Sequence, residues 1–199
     1  MDLGRLFLRG VVGPLFVGHG TQKLFGWFDG HGPDGTGGFF ESLGLRPGKR
    51  HATAAGVAET AGGALLTLGA LTPVASTLIS GTMITAIRKV HLQNGPWVTG
   101  NGYEYNLTLI AAMAALTEVG PGRPSVDSAL LPNLKGAGWA LAALGAAAAG
   151  SYLVTERLTE AEPAPAPQEG QADTPGDPAL EQQPRFTREP VASPADQPA

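Results

Sequence analysis

The stretch Leu6-Phe7-Leu8-Arg9-Gly10-Val11-Val12-Gly13-Pro14-Leu15-Phe16-Val17-Gly18-His19-Gly20-Thr21-Gln22-Lys23-Leu24-Phe25-Gly26-Trp27-Phe28 decides how the rest of the chain is read. It is apolar apart from Arg9, His19, Gln22 and Lys23, and as a helix it is long enough to cross roughly 30 Å of hydrocarbon. Pro14 removes one main-chain hydrogen bond, to the carbonyl of Gly10, a defect that neighbouring helices in a bundle tolerate. Arg5 and Arg9 ahead of an apolar run also suit a signal peptide, but no small-residue cleavage site followed by a polar start is present, so the segment is expected to be retained.

Four further apolar segments follow. Ala52 to Leu71 carries one charge, Glu59, and Thr72-Pro73 ends it, because proline biases the residue before it away from helix. Val74 to Val90 closes on Arg88 and Lys89, which suit both a helix C-terminus and a headgroup layer. Tyr105 to Val119 is the shortest. Gly136 to Val154 is almost entirely Ala, Gly and Leu, with Trp139 and Tyr152 near its ends, where aromatic belts form. Between the first two segments, Thr36 to Gly44 predicts a short helix in the headgroup plane with Phe39, Phe40 and Leu43 dipped into lipid or onto the bundle.

The expected fold class is therefore all-α: an integral membrane bundle of four core transmembrane helices plus a fifth, with a disordered C-terminal tail. The bundle is expected over residues 1–154, its core over about 3–119, the added helix over about 136–154 and the tail over 155–199. A soluble all-helical domain is the alternative, disfavoured because so many apolar stretches leave little polar surface to wrap a core. The mean hydropathy of +0.03 averages apolar segments with a polar tail and so conceals both. From Ala161 to Ala199 the composition of Pro, Ala, Gln, Asp and Glu offers too little apolar surface to offset chain entropy.

Charge and composition narrow the chemistry. A net charge of -4 over 199 residues gives no basis for a nucleic-acid partner. With no cysteine, the chain itself carries no thiolate nucleophile, disulfide, iron–sulfur ligand or sulfur relay. No phosphate loop, dinucleotide fingerprint or hydrolase elbow stands in its required strand, turn and helix setting. No metal set is expected. His19 and His91 fall on different segments, but nothing beyond that suggests axial ligation of a haem. His31 and His51 are expected in or beside a loop, in contact with solvent.

Ionisable groups inside spans are costly, so they are expected to pair, face the bundle interior and mark function. At 100° per residue Arg5, Arg9, Phe16, His19 and Lys23 share a broad face of the first segment, with Gln22 on its flank. Ala55, Glu59, Gly62 and Gly63 share a face of the second, where small residues admit a close neighbour. Glu59 is thus expected to pair with Lys23, Arg9 or His19. The pair either fixes how the two helices pack or lines a polar pocket of His19, Gln22, Lys23 and Glu59, in which His19 can transfer a proton. A second polar cluster, His91, Glu104, Tyr105 and Asn106, is expected at an interface, where Glu104 and Asn106 also satisfy helix-start preferences.

The run Gly18 to Gly26, the turn Thr36 to Phe40, the stretch Ala55 to Glu59 with Gly62 and Gly63, and Gly102-Tyr103-Glu104-Tyr105-Asn106 together resemble the DoxX family of small bacterial membrane proteins. The resemblance covers about Leu3 to Val119. It implies a four-helix, multi-pass protein of the bacterial cytoplasmic membrane, related to the small subunit of a thiosulfate:quinone oxidoreductase, with a quinone as candidate ligand. It also implies association with redox or oxidative-stress complexes, without settled catalytic residues. Partners expected on this basis are the lipid bilayer, soluble redox enzymes and further copies of the chain. Two other readings stay open: a non-catalytic membrane anchor or scaffold that binds redox enzymes through its loops or tail, and a small-solute transporter. The basic residues Arg46, Lys49, Arg50, Arg88 and Lys89 place the first loop and the C-terminus in the cytoplasm, while Arg5 and Arg9 argue the reverse.

Overall fold

The computed structural model describes residues 2–160, and the expected tail from Ala161 onward lies outside them. Seven α-helices and no strand occur among the described residues: α1 (Leu3–Phe25), α2 (Gly32–Ser42), α3 (Gly48–Leu68), α4 (Thr72–Ala86), α5 (Glu104–Val119), α6 (Val126–Leu130) and α7 (Ala137–Tyr152). A π-helical turn, Ile87–His91, prolongs α4, and another, Leu153–Arg157, prolongs α7. The five long segments read from hydropathy correspond to α1, α3, α4, α5 and α7.

Boundaries follow local chemistry. Helix α1 runs through Pro14 and stops at Gly26, whose φ of 72° is the left-handed conformation that closes a helix, so it ends short of the expected Phe28. Helix α2 begins earlier than expected, because Pro33 at its start presets φ and lacks the amide that a first turn cannot use. Asp127 stops the α3–α4 turn from fraying. Its carboxylate accepts the Leu71 and Thr72 amides at 2.7 and 2.8 Å and the Thr72 hydroxyl at 2.6 Å.

Helix α1 packs chiefly on α3, α3 on α4, and α4 on both α5 and α7, while α2 lies across α1 and α3. Gly13 and Gly20 of α1 meet Gly63 and Gly56 of α3, so these two helices run antiparallel at close range. A Cβ at Gly63 would stand 2.5 Å from the Gly13 carbonyl oxygen, and one at Gly20 would stand 2.6 Å from that of Gly56. Gly62 instead faces Leu78 and Ile79 of α4, so the two adjacent glycines serve two different neighbours. The apolar core is Phe16, Leu66, Ala75, Ile79, Leu109, Met113 and Leu116.

Beside this apolar core, several polar side chains are buried and many large apolar ones are exposed. Arg9, Glu59, Ser76, Ser80, Asn106, Thr117 and Asp127 are buried, whereas Phe7 and Leu15 of α1, Leu107 of α5 and Leu141 of α7 are more than half exposed. By length and composition, one helix among those described is suited to cross a membrane, the continuous α7 and its extension over Ala137–Arg157. The four or five spans expected from hydropathy thus reduce to one by that criterion. Helices α4 and α5 have 15 and 16 residues, and α1 and α3, with 23 and 21, carry the charges Arg5, Arg9, Lys23, Lys49, Arg50 and Glu59.

Candidate functional site

Lys23 stands in the last turn of α1, and Glu59 stands midway along α3. The glycine contacts bring the two backbones close enough for Lys23 Nζ to reach Glu59 Oε2 at 2.6 Å, with the Glu59 side chain 8% exposed. Lys23 also donates to the His19 carbonyl at 3.4 Å, a turn earlier on its own helix. His19 Nδ1 is 3.2 Å from Gln22 Oε1.

The pair opens on a cavity of about 360 Å³ bounded by α1, α2, α3, α4 and α5. It is lined by His19, Lys23 and Glu59 from α1 and α3, by Lys89, His91, Tyr105 and Asn106 from the extension of α4 and the start of α5, and by the apolar Phe16, Phe39, Phe40, Leu43 and Met83. Residues as far apart along the chain as His19 and His91 therefore share one chamber. Asn106 is buried and donates to Met83 Sδ at 3.3 Å. His91 Nδ1 lies 2.8 Å from the Asn101 carbonyl, which holds the ring in place.

Two expected members stand elsewhere. Gln22 donates to the Phe28 carbonyl at 3.2 Å and lines a neighbouring hollow with Asp29, His31 and Thr36. Glu104 accepts the Val98 amide at 3.0 Å, a local structural bond outside the chamber. Lys23 is common to the chamber and that neighbouring hollow, as are Phe39 and Phe40.

Arg9 is not a partner of Glu59. It is 1% exposed and donates to the Thr67 and Pro124 carbonyls at 3.0 and 2.6 Å, within electrostatic reach of Asp127. It ties the N-terminal half of α1 to the end of α3 and to the loop before α6. His51 also departs from expectation: it sits in the first turn of α3, buried, with Nε2 3.2 Å from the Arg46 carbonyl, and is not solvated.

Lys89 was legible in the sequence only as a helix-end cation. Its place at i+4 from Thr85 was the available signal that both face the chamber. Asp127 lay in a short apolar stretch with no periodicity to mark its direction. At the far end, Asp2 accepts the Arg123 amide at 2.8 Å and pairs with Arg5 at 2.5 Å. The Arg123 N–H, and then Arg5, hold its carboxyl below the usual carboxylate range.

These features define a class: a small helical bundle with polar side chains turned inward around a cation and carboxylate pair, and apolar side chains turned outward. The chain belongs to the DoxX family, whose sequence profile matches residues 4–92. It is 34% identical over 116 residues to CatD of Bacillus subtilis (strain 168), a protein named provisionally as an oxidoreductase; the match spans 58% of this chain and 80% of CatD. It is 32% identical over 133 residues to the uncharacterized membrane protein Rv3486 of Mycobacterium tuberculosis (strain ATCC 25618 / H37Rv), spanning 62% of this chain and 78% of that relative. No solved structure gives a significant match.

Proposed function

We propose that this protein is a multi-pass protein of the cell membrane and the membrane subunit of a redox complex, whose chamber beside Lys23 and Glu59 binds a quinone ring or a similar small redox-active solute. The observation that carries this reading is the convergence of His19, Lys23, Glu59, His91, Tyr105 and Asn106 on one amphipathic cavity. Lipid around the bundle supports it, since exposed Phe7, Leu15 and Leu141 would be costly in water and buried Glu59 would be costly without a cation.

A planar dicarbonyl ring suits this lining. Its faces contact Phe16, Phe39 and Met83, one oxygen meets Lys23 and the other meets Lys89, Tyr105 or Asn106. Lys23 and Lys89 against Glu59 leave the lining one positive charge in excess, which favours an oxygen that gains negative charge on reduction. His19, on the same helix as Lys23 and also lining the chamber, is the candidate proton donor to that oxygen. With no cysteine, the chain supplies no thiol or iron–sulfur route for the electrons, which suits delivery by a partner.

With the basic end inward, Arg46, Lys49, Arg50, Arg88 and Lys89 face the cytoplasm. The test is purification in mild detergent with bound lipophilic molecules identified by mass spectrometry, followed by quinone-linked turnover of the complex. A bound quinone that is lost in Glu59→Gln and Lys23→Met supports the proposal. Turnover unchanged in both variants overturns it.

A further inference from the structure

A second hollow adjoins the chamber at Phe40. Phe40, Leu45 and Thr85 line both the chamber and this hollow, which is of about 230 Å³. This hollow lies between α3, α4 and α7 and is walled by small apolar groups, among them Ala54, Ala58, Gly81, Ala146, Ala147 and Gly150.

Its few hydroxyls are already committed. Thr77 donates to the Pro73 carbonyl, Thr82 to the Ile79 carbonyl and Thr85 to the Gly81 carbonyl, each at 2.9 Å, and Ser151 accepts from Thr85 at 3.0 Å. The His51 ring is held at the Arg46 carbonyl. A polar solute entering here would lose its water for few partners, whereas an aliphatic chain has no hydrogen bonds to lose. The two hollows thus differ in kind: one offers cations and hydrogen-bonding groups, and the adjoining one offers mostly apolar surface.

We propose that the ligand is a chain-bearing quinone, with its ring in the chamber at Lys23 and Glu59 and its aliphatic chain passing Phe40 and Thr85 into the trench between α3, α4 and α7. This rests on the ring-binding reading above and adds the chain, its route and a function for α7. Helix α7 supplies one wall of the trench, so it is part of the binding site as well as of the bundle.

Gly150 provides the test, because a Cβ there meets nothing within 4 Å and a larger side chain enters the trench without disturbing backbone. Gly145 on the same helix is equally open and lies outside the trench, so it serves as control. The full-length protein in lipid nanodiscs is titrated with a dimethoxy-benzoquinone lacking a chain and with the same ring carrying a decyl chain. Gly150→Leu and, independently, Ala146→Leu are expected to weaken the decyl ligand about tenfold relative to wild type, equivalent to excluding roughly two methylenes, and to leave the chainless ring unchanged. Gly145→Leu is expected to alter neither. Decyl binding that is indifferent to both trench variants, or weakened equally with the chainless ring, overturns the chain route while leaving the ring site standing. Failure of wild type to bind either ligand overturns the ring site and the chain route together.

Discussion

Lys23 Nζ and Glu59 Oε2 are 2.6 Å apart across the α1–α3 crossing, and the Lys23 side chain, 23% exposed, is the more open of the two. The ammonium therefore keeps contact with the outer hollow while the carboxylate is enclosed. Removing the cation leaves the less solvated partner stranded. Lys23→Met is expected to destabilise the bundle by about 2–4 kcal/mol, and Lys23→Met with Glu59→Gln to recover at least half of that. Unfolding in detergent followed by circular dichroism measures the coupling; strictly additive losses would show that the pair does not act as a unit.

The α1–α3 crossing depends on glycine at Gly63, where a Cβ would press on the Gly13 carbonyl and the Val17 amide. Gly63→Ala is expected to cost about 1–3 kcal/mol by forcing the helices apart. Gly18→Ala, with nothing within 4 Å of its Cβ, is expected to gain about 0.5–1 kcal/mol from helix propensity. Thermal unfolding of the two variants side by side checks both the sign and the contrast.

Asp127 closes the α3–α4 turn by taking two amides and one hydroxyl. Asp127→Ala leaves the buried Thr72 amide and Arg9 without that carboxylate, for an expected loss of about 2–4 kcal/mol. Asp127→Asn keeps the shape and one acceptor oxygen, so a smaller loss is expected. Hydrogen exchange at Thr72 locates the effect, which should be confined to the start of α4 and its contact with α6.

At the same end of the bundle, the carboxyl of Asp2 has its pKa lowered from 3.8, first by the Arg123 amide and then by Arg5. A folded-state pKa below the unfolded value means that the stabilisation is complete above about pH 4 and is lost as pH falls through the lowered value. The Arg123 amide is therefore expected to exchange faster at pH 2–3 than its intrinsic rate predicts from measurements at pH 5, and Asp2→Asn to abolish that difference. Nuclear magnetic resonance of the protein in micelles reads both.

Hydropathy and periodicity alone located the five long helices and identified Lys23, His19 and Glu59 as groups turned toward a neighbouring helix, and the lack of cysteine excluded thiolate chemistry on the chain itself. Local rules suffice for these, because a helix face follows from residue spacing and a helix end from proline or glycine. Tertiary structure decided the rest. It gave Glu59 to Lys23 and sent Arg9 to the carbonyls of Thr67 and Pro124, a choice that spacing cannot make: it fixes the direction of a side chain but not the height at which two helices cross. That height is set by Gly13 and Gly20 meeting Gly63 and Gly56. The same packing placed His91, Tyr105 and Asn106 with Glu59 in one chamber, moved Gln22 and Glu104 out of it, and buried His51, since a shared cavity is a property of several helices at once and of none of them singly.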